Sequence, residues 1–170
     1  MSNIIDLTGT VLEELRTSLG NVDENECEDF VQLLLQTKRN GNKVYCAGAG
    51  RSLLMIRAFA MRLMHLGFQS YVVGETVTPA VEKDDLVIFG SNSGETGALK
   101  SMAGKAKQIG ANVAVITSKP QSTIASLADL TIEIPIQTIS GEIQPSGSSF
   151  EQSMLLLCDA LVLKLIVAGN

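Results

Sequence analysis

Five short apolar runs, each released into a small or polar turn, constrain this chain more than any other feature: 43–47, 69–73, 85–90, 111–116 and 130–134. Helix-like stretches separate them, after Ser52 to about Leu66, from a cap-and-proline start at Thr78-Pro79, across 95–109, and briefly to near Ala128. Runs apolar on both faces that alternate with helices predict a parallel sheet covered on both sides. The expected fold is therefore α/β, a three-layer αβα sandwich in a single domain. Right-handed crossovers place every strand's C-terminal end on one edge, where ligands bind at the reversal of strand order.

Two amphipathic helices precede the first strand, over about 3–39. The first carries a stripe of Ile4, Leu7, Val11, Leu12, Leu15 and Leu19 and stops at Gly20-Asn21. The second, from about Asp23, buries Phe30, Val31, Leu33, Leu34 and Leu35. Both need a surface to cover, part of which a second subunit can supply. Residues 135–149 form an irregular excursion, and the last helix runs over about 148–167. Its very apolar body, Met154 to Ala168, is shorter than a bilayer span and interrupted by Asp159 and Lys164, so it reads as a buried helix.

The stretch Ser91-Asn92-Ser93-Gly94-Glu95-Thr96 is the densest in chemistry. A buried strand ends there in a hydroxyl-rich turn that opens a helix, and a helix amino end suits an anion such as phosphate. Asn92 with Glu95 three residues on also resembles a capping box, so both readings stand at this loop. Two further loops repeat the pattern, with Ser52 in one and Thr117 and Ser118 in the other.

The turn Gly48-Ala49-Gly50-Arg51-Ser52-Leu53 has the first two glycines of a dinucleotide fingerprint. Leu53 occupies the third place, and Glu75 can imitate the ribose-binding acid. Arg51 suits a charge-assisted partner, either ligand or carboxylate, or a surface ion pair. Glu151, in the first turn of the last helix, is the preferred proton-transfer group, since partial burial of a carboxylate raises its pKa. An acid there also simply complements the helix dipole. His65 is the only histidine. It sits late in a helix, either structural or a general acid.

Net charge is −5, aromatic residues are 4%, and no Lys/Arg run occurs, which argues against nucleic acid while leaving a small anion open. Cys27, Cys46 and Cys158 are scattered, with no metal-ligand spacing, and read as reduced thiols of a cytoplasmic protein. The first residues lack the basic and apolar regions of a signal peptide.

As a set, Gly48–Ser52, Ala58–Gly67, Val73–Thr76, Ser91–Thr96, the segment from Thr117 to Asp129 and Gly147–Glu151 resemble the sugar isomerase (SIS) domain, in particular the 6-phospho-3-hexuloisomerases. The likeness spans roughly residues 5–167. It implies a five-stranded parallel sheet, a homo-oligomer of tetramer type, and conversion of D-arabino-hex-3-ulose 6-phosphate to fructose 6-phosphate without metal or cofactor. By position it implies that Gly50, Arg51, Ser52 and Ser91, Asn92, Ser93, Gly94, Glu95 and Thr96 hold the sugar phosphate. Glu151 would be the base, with His65 a secondary catalytic residue reaching the site from its own or a neighbouring subunit. Leu53 and Asn92 stand where these enzymes usually have glycine, and both are expected to border the pocket.

Overall fold

The computed structural model describes residues 3–137 and 144–168. Elements follow in the order α1 (Ile4–Leu19), α2 (Glu24–Arg39), β1 (Val44–Gly48), α3 (Gly50–His65), β2 (Ser70–Val72) and β3 (Leu86–Gly90). They continue with α4 (Gly97–Ile109), β4 (Asn112–Thr117), α5 (Thr123–Leu127), β5 (Leu130–Glu133) and α6 (Ser148–Ala168). The strands form one five-stranded parallel sheet in the order β2-β1-β3-β4-β5. The α/β sandwich expected from the alternating pattern is the observed fold.

Strand alternation sorts the core into two layers. Val44, Cys46, Leu86 and Ile88 face α2, α3 and α6, meeting Phe30, Ile56, Phe59, Met154 and Leu161. Tyr45, Ala47, Val87 and Phe89 face the thinner layer, where α4 and α5 contribute Leu99, Ala103 and Ile124. Helix α6 is buried on most sides because α1, α2 and α3 all pack on it.

The chain leaves β1 for β2 on one side, then returns past β1 to form β3 on the other. Strand order therefore reverses between β1 and β3. Their last residues, Gly48 and Gly90, are register partners at that point. A Cβ on Gly48 would lie 3.0 Å from the Leu53 backbone, so α3 starts in close contact with the strand. On the same face a Cβ on Gly90 would lie 2.8 Å from the Met154 sulfur, which seats α6 directly over β3.

Several boundaries differ from expectation. Thr78-Pro79 begins no helix: the Thr78 hydroxyl donates to the Val72 carbonyl at 2.6 Å, and the Tyr45 hydroxyl donates to the Ala80 carbonyl at 2.8 Å. A cap and a proline do not nucleate a helix where no apolar stripe follows to be buried. On α1 the expected stripe is largely open, with Ile4 79% and Leu12 60% exposed; the buried face is Glu14, Leu15 and Ser18. The irregular excursion expected at 135–149 lies partly outside the described residues, at 138–143.

Asp85, expected as the first residue of β3, instead caps the sheet's opposite edge. It is buried, and its two oxygens accept the backbone N–H groups of Lys43 and Glu82, each at 2.8 Å. Asp85→Asn turns one acceptor into a donor facing a donor. The expected cost is about 2 kcal/mol, or a melting temperature lower by about 4–8 °C in a thermal scan.

Candidate active site

At the β1/β3 reversal two loops converge. The loop after β1 carries Ala49, whose extended backbone caps α3 without a side-chain bond, and Gly50 at φ +54°. The loop after β3 runs Ser91 to Thr96, and Thr96 caps α4 likewise without a side-chain bond. The first N–H groups of both helices are thus without a capping side chain, the condition for receiving an anion. Within the second loop Ser91 Oγ accepts from the Gly94 N–H and Ser93 Oγ from the Glu95 N–H, both at 3.2 Å. Gly94 turns at φ +62°, a conformation that favours glycine.

Between these loops lies a cleft of about 190 Å³ lined by Ser52, Ser91, Asn92, Ser93 and Thr96. A second cleft, of about 260 Å³, adjoins it through Asn92 and extends under the amino end of α6, past Ser118, Lys119, Gly147 and Ser149 to Glu14. The third hydroxyl loop does not face the first cleft. Thr117 and Ser118 donate to the Asn92 carbonyl at 3.0 and 3.1 Å, and the Ser118 hydroxyl also meets Asn92 Oδ1 at 2.6 Å. Asn92 is therefore riveted to β4's end, and the capping box with Glu95 does not form.

Glu151 enters through α6. It lies one turn before Met154, the residue that rests against Gly90 at the end of β3. It is 9% exposed and accepts a hydrogen bond from Arg51 Nε, closing a link between the first turns of α3 and α6. Arg51 thus meets a carboxylate within the protein.

Glu95 also turns away from the cleft. Its carboxylate accepts the Thr123 N–H at 2.6 Å, the Thr123 hydroxyl at 2.9 Å and Lys100 Nζ at 3.1 Å. The Thr123 N–H, then Lys100 and the Thr123 hydroxyl, hold this carboxyl below its ordinary value of 4.5. A lowered pKa means that the staple between α4 and α5 is complete above about pH 4.5 and is lost as pH falls through the folded value. The Thr123 amide proton resonance should shift only below that pH, and not at all in Glu95→Gln.

Residues 38–164 match the pattern of the SIS domain family. The chain belongs to that family. It is 43% identical to the 3-hexulose-6-phosphate isomerase of Bacillus subtilis over 162 residues, covering 92% of this chain and 85% of that protein. A crystal structure from Methanococcus jannaschii, with an inferred function of 3-hexulose-6-phosphate isomerase, superposes with a TM-score of 0.80 at 36% identity. That match covers 96% of this chain and 88% of the other. An Escherichia coli CFT073 protein, solved as a complex with its ligand, has a TM-score of 0.78 at 27% identity, covering 99% and 94%.

In this SIS domain the structure gathers Ser52, Ser91, Asn92, Ser93 and Thr96 around one cleft, with Gly50 and Gly94 shaping its loops and Arg51 and Glu151 paired beside it. His65 is not brought to them. It ends α3, and 16 helical residues set it about 22 Å from Gly50. Leu53 does not line the cleft but packs partly buried against the core, and Glu75 pairs with Arg57. Burial pushes the Cys46 thiol up to about 12 and raises Cys158 well above the ordinary range, so neither is poised as a nucleophile. No helix among the described residues is long and apolar enough to cross a membrane.

Glu14 is the residue that sequence reasoning passed over. Its signal was present: Val11, Glu14, Leu15 and Ser18 share one helix face, placing a carboxylate on a face that packs.

Proposed function

We propose that the protein is a phosphosugar isomerase interconverting D-arabino-hex-3-ulose 6-phosphate and fructose 6-phosphate. The observation that carries this is a buried carboxylate, Glu151, held by Arg51 in the first turn of α3, next to Ser52 of the hydroxyl-lined cleft. The likeness to the Bacillus subtilis enzyme supports this choice of sugar.

In this reading the phosphate sits among Ser52, Ser91, Ser93 and Thr96, on the open N–H groups of α3 and α4. Glu151 removes the proton from C2 of the 3-ketose, leaving an enediol(ate) across C2 and C3. A proton passes from O2 to O3 along the enediol, the same group returns a proton to C3, and the carbonyl is then at C2, as in fructose. Nearby polar N–H and O–H donors steady the negative charge on oxygen as it develops. Arg51 keeps Glu151 aimed at the reacting carbons. In deuterated water the enzyme should place deuterium at C3 of fructose 6-phosphate. Label at C1 would indicate an aldose–ketose isomerase instead, and no label would refute isomerisation.

The assembly is a homotetramer in this proposal. Support comes from apolar side chains left open on three helices: Ile4 and Leu12 on α1, Met61 and Met64 on α3, Leu163 on α6. His65 adjoins the exposed α3 pair, so a second copy docked there would bring it toward a neighbouring cleft. Light scattering of the purified protein tests this, with about four times 18.1 kDa expected. The reducing interior of a cell suits its free thiols.

A further inference from the structure

Asn92 stands between the two clefts and forms part of both walls. Its backbone carbonyl accepts the Thr117 hydroxyl at 3.0 Å and the Ser118 N–H at 3.2 Å, which fills both acceptor sites of that oxygen. The single Ser118 hydroxyl proton therefore goes to Asn92 Oδ1, the shorter of its two contacts at 2.6 Å. That bond decides which way the amide faces, with its oxygen turned to Ser118 and its nitrogen turned away. Nδ2 has no hydrogen-bond partner among the described residues, and it is not one of their buried unpaired atoms, as Gln152 Oε1 and Ser153 Oγ are. The half-buried residue thus keeps two N–H donors accessible at the wall common to both clefts.

Glu151 has the complementary arrangement. Arg51 holds its Oε2, while Oε1 lies beside Gly147, where a Cβ would stand 3.5 Å away. Gly147 lines the larger cleft together with Asn92. A carboxylate oxygen and a fixed amide donor therefore adjoin one cavity. Lys119, on the same wall, is exposed and has no side-chain partner among the described residues, so its charge is not held in one place.

We propose that Asn92 Nδ2 donates to the substrate oxygen that becomes negative during isomerisation, which makes Asn92 a catalytic residue and Ser118 the residue that positions it. This rests on the phosphosugar reading above. When Glu151 takes the proton from C2, negative charge gathers on O3, the former carbonyl oxygen. In the reverse direction it gathers on O2, the neighbouring oxygen of the same enediol(ate). The two N–H groups of one amide can serve either oxygen. A donor fixed in advance need not reorganise as the charge develops, whereas the long Lys119 side chain would first have to be ordered. Glycine at this position would lack the amide, so Asn92 adds to the donors that steady the oxyanion and does not replace them. The phosphate is held by other groups, the hydroxyls of the smaller cleft, so Asn92 acts on turnover and not on anion affinity.

The test is steady-state kinetics with fructose 6-phosphate, together with calorimetric titration of inorganic phosphate, on the wild type, Asn92→Ala and Ser118→Ala. Asn92→Ala keeps both backbone anchors of the loop and loses only the amide. Its kcat should fall roughly 10-fold, with KM and phosphate affinity within about 2-fold of the wild type. Ser118→Ala leaves the donor in place but unaimed, and its kcat should fall by a smaller factor with KM again unmoved. An unchanged kcat in Asn92→Ala, or a raised KM with kcat intact, overturns the oxyanion role and leaves the isomerase reading standing. Phosphate affinity that falls as far as kcat also overturns it, since Asn92 would then belong to the anion site. A wild type that does not turn this sugar over overturns the isomerase reading itself and this inference with it. If Asn92→Ala does not fold, Ser118→Ala decides, and a wild-type kcat in that variant overturns the proposal.

Discussion

Glu151→Gln is expected to lower turnover between the 3-hexulose and fructose 6-phosphates by roughly 10²–10⁴-fold, the usual contribution of a positioned proton-transfer group. The amide matches the carboxylate in size and can still accept a hydrogen bond from Arg51, but it cannot carry a proton from C2 to C3. The fall should therefore appear in kcat, with KM and fructose 6-phosphate affinity within a few-fold of the wild type. Deuterium incorporation at C3 should fall in parallel. A purely structural Glu151 would behave differently. Loss of its contact with Arg51 would lower the melting temperature and disturb KM while leaving exchange measurable. Exchange at the wild-type rate in Glu151→Gln would remove this residue from the chemistry.

Gly94→Ala should have the second largest effect, and on binding rather than turnover. The residue turns at φ +62°, where a side chain costs about 1–2 kcal/mol, and the added methyl would overlap Ser122 Oγ and Cβ. Ser122 in turn caps α5 through the Ala125 N–H at 3.4 Å. Either the 91–96 loop or the start of α5 must move. A stability loss of about 2 kcal/mol or more follows, with a melting temperature lower by about 4–8 °C and phosphate affinity reduced by roughly 10-fold. The double variant Gly94→Ala/Ser122→Gly separates the two causes. It relieves the overlap but not the backbone strain, so it should recover part of the binding. Unaltered phosphate affinity in Gly94→Ala would show that this loop does not hold the anion.

Much of the architecture was legible because buried parallel strands leave an unmistakable trace. The runs around Val44, Leu86 and Val113 are apolar on both faces and end in small residues, so the sheet and its functional edge follow directly. The edge strand β2 is shorter than expected, since an exposed edge supplies less apolar burial to extend it. Thr78-Pro79 misled because a capping signal is local, whereas helix formation depends on burial further along. Glu95 and Thr117 show a related limit. One lies in a binding loop and the other beside it, and only the tertiary structure reveals that they hold neighbouring backbone and side chains together. Glu14 escaped notice for a different reason. A charged residue in an amphipathic helix reads as solvent-facing, and its cleft is assembled from positions as distant as 14, 92 and 147.

The two glycines that end β1 and β3 are not equally free to change. Gly48 abuts main-chain atoms of Leu53, which cannot step aside without dragging α3 along. Gly90 abuts the tip of a methionine, which can swing to another rotamer or be traded for a smaller neighbour. Over evolutionary time one position is locked by geometry, while its partner is open to compensated exchange. Any remodelling of the crevice is therefore channelled through the long helix above β3 and away from the one beside β1.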